Sequence, residues 1–236
     1  MSSLNSAFES GRALICYLTA GDPSPEKSVE FIKTASKAGA DIIEVGIPFS
    51  DPVAEGRVIE RSHMRALDAG VNTETVFEII SRARDCQSRT RFVILTYINP
   101  VFVYGYERFF KACKASGVCG VIIPDLPFEE RGELSEYAKK YDVDVITLIA
   151  PTTGTRITRL AGSARGFIYV VSSMGVTGIR DKISADLADM VRKIRSVTDT
   201  KIAVGFGISQ PEQAKEILSF ADGVIVGSAI VKIIEE

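Results

Sequence analysis

Eight short runs of branched aliphatic residues recur along this chain, and nearly all are followed by a stretch with helical spacing. The runs cover residues 13–18, 42–46, 92–97, 120–123, 143–148, 167–171, 202–205 and 223–226. They are almost continuously apolar, as strands are when a parallel sheet is covered on both faces. Helical patterns fall at 25–38, 73–86, 107–116, 129–140, 153–161, 185–195 and 211–220. Several open on start signals, such as Asp22-Pro23-Ser24-Pro25 and Ser209-Gln210-Pro211. Eight βα units in 236 residues predict one closed (β/α)₈ barrel over 1–236, the TIM-barrel form of the α/β class. A doubly wound open sheet is the main structural competitor. After the eighth run only residues 227–236 remain. The eighth outer helix is therefore expected to be missing, or replaced by a short C-terminal helix.

Composition narrows the function. A net charge of −2 gives no electrostatic footprint for nucleic acid or an anionic membrane. No apolar run reaches the roughly 18–20 residues of a membrane span. The first residues, Met1-Ser2-Ser3-Leu4-Asn5, show no basic segment leading into an apolar one, so a soluble, cytoplasmic protein is expected. Cys16, Cys86, Cys113 and Cys119 form no CxxC pair, and His63 is the single histidine. No metal site is expected, and the thiols read as reduced and mostly buried. His63 lies between Arg61 and Arg65 in a helical stretch and reads as a surface residue.

Strand alternation places Ile42, Glu44 and Gly46 on one face. A carboxylate on a strand covered from both sides is costly unless it is paired or used. Glu44 is also near the C-terminal end of its strand, where barrels carry catalytic groups. Burial among apolar neighbours would raise its pKa and keep a proton available; a structural carboxylate bonded to a neighbouring loop is the other reading. Two strand-to-helix connections, 47–56 and 172–182, are unusually long. The first is stiffened by Pro48 and Pro52 and carries Asp51 and Glu55, which would otherwise read as solvated loop acids. Glu55 is close enough along the chain to share a cavity with Glu44, and two carboxylates in different environments can divide acid and stabilising roles. Glycines follow three late strands, at Gly175-Val176-Thr177-Gly178, Gly205-Phe206-Gly207 and Gly227-Ser228, the last opening a short helix. Unhindered amides and a helix N-terminus predict a phosphate site there, and so a small phosphorylated substrate. Tyr17, Tyr97, Tyr169 and Phe206 stand at strand ends, where they either line an apolar pocket or pack the barrel.

Taken together, these segments resemble the tryptophan synthase α subunits over nearly the whole chain. The most specific piece is Glu44-Val45-Gly46-Ile47-Pro48-Phe49-Ser50-Asp51-Pro52. Gly21-Asp22-Pro23, Tyr97-Ile98-Asn99-Pro100, Pro124-Asp125-Leu126-Pro127, Gly175-Val176-Thr177-Gly178, Gly205-Phe206-Gly207-Ile208 and Gly227-Ser228-Ala229-Ile230-Val231 support it in the family's order. The resemblance implies retro-aldol cleavage of indole-3-glycerol phosphate to indole and glyceraldehyde 3-phosphate, with no metal or organic cofactor on this chain. It implies Glu44 as the catalytic glutamate. The family's second acid is an aspartate in Ala-Asp-Gly; here the segment is Ala54-Glu55-Gly56, which carries that role to Glu55 with one more methylene. Arg57 beside it would pair with Glu55 and lower its pKa. Tyr169, Thr177, Phe206 and Tyr97 are implied at the substrate, and Gly178, Gly207, Gly227 and Ser228 at its phosphate. The family works as an α₂β₂ complex whose β subunit carries pyridoxal phosphate. Loops around 48–60 and 97–104 are the implied contacts with β. Two alternatives stand beside this: another phosphate-binding barrel with a different acid/base pair, and a subunit that activates β with little chemistry of its own.

Overall fold

The computed structural model describes residues 2–85, 89–171, 180–205 and 207–236. Its strands are β1 (Ala13–Thr19), β2 (Ile42–Gly46), β3 (Arg91–Leu95), β4 (Val118–Ile122), β5 (Asp144–Val145), β6 (Thr147–Ile149), β7 (Phe167–Val171), β8 (Lys201–Gly205) and β9 (Gly223–Val226). Every pairing is parallel, and β1 is flanked by β2 on one side and β9 on the other. The two sheet ends, β5 and β6, are halves of one strand interrupted at Ile146. The first half pairs with β4, the second with β7, and the Ile146 amide bonds the Val121 carbonyl at 2.9 Å. The ring thus closes through the continuous backbone of the fifth barrel strand. That closure excludes the open-sheet alternative and gives the eight-stranded α/β barrel.

Strand alternation sorts the core into an interior and a jacket. Ala13, Ile15, Tyr17, Ile42, Val93, Leu95, Ile146, Phe167, Ala203 and Ile225 cluster inside. Their strand neighbours Cys16, Leu18, Ile43, Val45, Phe92 and Ile94 pack under one set of helices. Ile168, Val170, Ile202, Val204 and Val224 pack under another. Each large apolar side chain buried this way contributes about 1.5–3 kcal/mol. A short 3₁₀ turn, Ser3–Phe8, which sequence reading did not anticipate, plugs the N-terminal end with Leu4 and Phe8.

The outer helices are α1 (Pro25–Lys37), α2 (Arg57–Asp68), α3 (Thr73–Ala83), α4 (Ile98–Tyr104), α5 (Tyr106–Ser116), α6 (Gly132–Tyr141), α7 (Ile157–Gly162), α8 (Arg180–Arg195), α9 (Pro211–Ile217) and α10 (Ser228–Glu235). Caps account for their starts: Ser24 Oγ accepts the Lys27 amide at 3.3 Å ahead of Pro25, and Asn72 Oδ1 accepts the Thr75 amide at 3.1 Å. Gly117, at φ 84°, ends α5 in the left-handed region. After β9 comes one short helix, as expected from the residues remaining. It packs on β1 and α2, and Glu235 ties it down by ion pairs to Arg61 (2.7 Å) and Arg65 (3.0 Å). Cys16 and Cys113 are free and buried and Cys119 is free and half-buried, while Cys86 lies outside the described residues.

Candidate active site

The C-terminal mouth of the barrel brings together two carboxylates and two phenols. Glu44 points inward from β2 with 2% of its surface exposed. Its Oε2 is buried without a hydrogen-bond partner among the described residues. Burial pushes its pKa up to about 8, and the nearby Glu55 charge adds to the rise. The structural reading of Glu44, a carboxylate bonded to a neighbouring loop, finds no such bond to that oxygen. Tyr17, its register partner on β1, is buried beside it. Tyr169, on β7, also feels both carboxylates. Burial first, then the Glu44 and Glu55 charges, hold its phenol well above the ordinary range. Each tyrosine lies over a glycine of the next strand. A Cβ on Gly46 would stand 2.3 Å from the Tyr17 hydroxyl, and one on Gly205 2.5 Å from that of Tyr169. Only glycine leaves room for these two rings in the mouth.

Glu55 reaches the mouth from the loop between β2 and α2. The Tyr97 hydroxyl organises this loop: it accepts the Val53 and Ala54 amides, both at 3.0 Å, and donates to Glu55 Oε2. Tyr97 is itself fully buried, with its ring 5.2 Å from that of Phe49. Burial raises the Glu55 pKa to about 7, against the lowering effect of the Ala54 and Glu55 amides; Glu60 and Asp125 add to the rise. The expectation that Arg57 pairs with Glu55 and lowers its pKa is therefore corrected. Arg57 begins α2 and makes no ion pair among the described residues, and the local charges around Glu55 are acidic. Asp51 is exposed and, among the described residues, accepts the Ser50 hydroxyl alone, at 2.5 Å, as a solvated loop acid would.

Of the late-strand glycines, those after the paired strands β8 and β9 lie side by side at the same face. Gly207 follows β8 at φ 43°, with no atom of the described residues within 4 Å of an added Cβ. Gly227 and Ser228 follow the adjacent β9 and open α10, whose first turn has no side-chain cap. Uncapped amides beside an unobstructed glycine suit an oxyanion. Thr177, Gly178 and Phe206, named from sequence for substrate and phosphate, lie outside the described residues.

His63 corrects another expectation. It is 1% exposed, not a surface residue, and its Nε2 lies 3.0 Å from the Tyr17 hydroxyl. The spacing of Ile59, Ser62, His63 and Ala66 carried the signal: they share one helical face, and Ser62, His63 and Ala66 are the residues α2 buries. The flanking arginines that suggested exposure point elsewhere. Arg65 holds the buried Asp22 carboxylate through contacts of 2.7 and 2.8 Å, and Arg61 holds Glu235.

Comparison with known proteins gives the family. The sequence profile described as tryptophan synthase alpha chain matches residues 4–236. The tryptophan synthase alpha chain of Lacticaseibacillus casei is 49% identical over 99% of this chain and 88% of its own. That of Carboxydothermus hydrogenoformans is 47% identical over 95% of this chain and 84% of its own. Among solved structures, tryptophan synthase subunit alpha from Campylobacter jejuni superposes with a TM-score of 0.89 at 38% identity, covering 97% of this chain and 92% of that one. A Pyrococcus furiosus structure, described by the mutual activation of the tryptophan synthase α₂β₂ complex, matches with a TM-score of 0.83 at 38% identity, covering 94% and 89%. On profile, sequence and structure alike, the chain belongs to the tryptophan synthase alpha chain family.

Proposed function

We propose that Glu44 and Glu55 divide the acid/base and charge-stabilising roles in the reaction this lyase subunit performs in tryptophan biosynthesis, the cleavage of indole-3-glycerol phosphate to indole and glyceraldehyde 3-phosphate. The observation that carries the assignment is the buried Oε2 of Glu44, without a hydrogen-bond partner among the described residues, with the Glu55 charge near enough to raise its pKa. Three events must be coordinated. Indole C3 gains a proton, so that the ring becomes an electron sink. The side-chain hydroxyl loses its proton as the C–C bond breaks and the aldehyde forms. Positive charge grows meanwhile at the indole N–H. Held up to about 8, Glu44 keeps its proton near neutral pH and gives it to C3, and the carboxylate so formed takes the side-chain hydroxyl proton as the C–C bond breaks. Glu55, at about 7, ionises first and supplies the anion for the indole N–H. Tyr169, Tyr97, Thr177 and Phe206 line the substrate, and Gly178, Gly207, Gly227 and Ser228 hold its phosphate.

This chain works with a tryptophan synthase β subunit. The surface that meets it is assigned to the residues 48–60 and 97–104, where Val53, Phe102 and Val103 are 77%, 66% and 76% exposed. Large apolar side chains left in water beside an active-site mouth fit a docking face. Pyridoxal phosphate belongs to that partner in this scheme, and no organic cofactor to this chain. No helix among the described residues is long and apolar enough to cross a membrane. In this proposal the enzyme is cytoplasmic and residues 1–236 form one barrel domain.

The role of Glu55 is tested by indole release from Glu55→Asp and Glu55→Ala. Shortening the side chain keeps the charge, so Glu55→Asp retains measurable activity. Glu55→Ala loses about 100-fold or more, the range for a misplaced or missing catalytic group. Equal turnover in Glu55→Ala and the parent would remove Glu55 from the mechanism.

A further inference from the structure

The loop that carries Glu55 is tied down at two points, and one tie is a side chain with no part in the chemistry above. His63 Nδ1 lies 3.3 Å from the Phe49 amide, while its Nε2 meets the Tyr17 hydroxyl at 3.0 Å. The far end of this buried chain sets its direction. Ser62 Oγ donates to the Ile59 carbonyl at 2.6 Å, and so accepts from Thr19 Oγ1 at 2.6 Å. Thr19 in turn accepts from the Tyr17 hydroxyl at 3.0 Å, which leaves Tyr17 to accept from His63. The imidazole is thereby the Nε2–H tautomer, and its bare Nδ1 accepts the Phe49 amide rather than donating to the Phe49 carbonyl. Burial lowers the His63 pKa and keeps the ring neutral.

Phe49 passes the constraint onward. Its ring packs on Tyr97, and the Tyr97 hydroxyl gathers Val53, Ala54 and Glu55. A rigid helix is linked through His63, Phe49 and Tyr97 to a carboxylate at the mouth. We propose that His63 is a positioning residue: acting through Phe49, it sets residues 48–55 so that Glu55 stands opposite Glu44. The proposal rests on the assignment of Glu55 made above. A histidine that merely fills space would affect stability and leave turnover alone.

The test compares turnover and substrate affinity in folded variants. His63→Leu keeps the bulk and removes both ring nitrogens. Its kcat is expected to fall about 10–100-fold with KM changed less than about threefold, because the phosphate grip is untouched while one catalytic group is misplaced. His63→Asn puts an amide oxygen where Nδ1 stands and restores most of the turnover. His63→Gln reaches Tyr17 but not Phe49 and does not. Phe49→Leu, in a half-buried loop position, reproduces the loss with His63 intact, so the proposal stays testable even if His63→Leu fails to fold. Parental kcat in folded His63→Leu or Phe49→Leu overturns the proposal, as does rescue by Gln and not by Asn. Glu55→Ala, measured alongside, separates the two levels. If it too keeps parental kcat, the assignment of Glu55 has failed; if it loses activity while His63→Leu does not, the positioning role alone has failed.

Discussion

Glu44 is kept protonated by its surroundings rather than by a bonded partner. Burial comes first and the Glu55 charge second, and together they raise it from an ordinary 4.5 to about 8. The same shift makes a prediction about stability. Between those two pH values the folded chain holds a proton that the unfolded chain has already released, so stability falls as pH rises through the window. Glutamine cannot ionise. Glu44→Gln should therefore melt higher than the parent, by a margin that grows as pH rises from about 5 to about 8.5. Thermal melts across that range check it, and a margin that stays flat or shrinks contradicts the protonated, buried state. Glu44 was readable from sequence because strand alternation alone put a carboxylate on a covered face. His63 was not, since its burial depends on which face of α2 meets β1, and two flanking arginines masked that face. The expected pairing of Arg57 with Glu55 is absent among the described residues for a related reason. Neighbours in sequence at the start of a helix diverge in space, and the charges near Glu55 are Glu60 and Asp125.

At the scale of elements, the strands were legible because burial on both faces writes an uninterrupted apolar run. The fifth barrel strand is the instructive exception. It was found as one run, and it is one strand in the barrel, yet its ladder breaks at Ile146 where pairing passes from β4 to β7. The Ser3–Phe8 plug and α4 were missed. Both are short, and α4 carries Pro100 in its first turn, where proline is tolerated but reads as a breaker. The mouth depends on small residues in strands as much as on large ones. Gly205→Ala would place a Cβ 2.5 Å from the hydroxyl and 2.6 Å from a ring carbon of Tyr169, so a stiff aromatic side chain must move. The expected cost is about 1–3 kcal/mol of stability, together with a loss of turnover as Tyr169 is displaced. Denaturant unfolding and the indole-release assay on one preparation check both, and an unperturbed variant would mean that Tyr169 has room the geometry denies it.

For the whole molecule, closure of the ring is what turns scattered signals into a site. Glu44 on β2, Tyr169 on β7 and the glycines after β8 and β9 are far apart in sequence, and only the barrel sets them around one opening. Val53, Phe102 and Val103 are exposed on the segments 48–60 and 97–104, the surface proposed above to meet the partner. The measurement that bears most directly on the account is indole release from indole-3-glycerol phosphate by the parent chain and by Glu44→Gln, each alone and with the β subunit. Slow release by the parent, rising sharply with β, is expected, with none above background from Glu44→Gln under either condition although that variant still activates β. Turnover by Glu44→Gln close to that of the parent would contradict the assignment of Glu44 as the acid on which the cleavage depends.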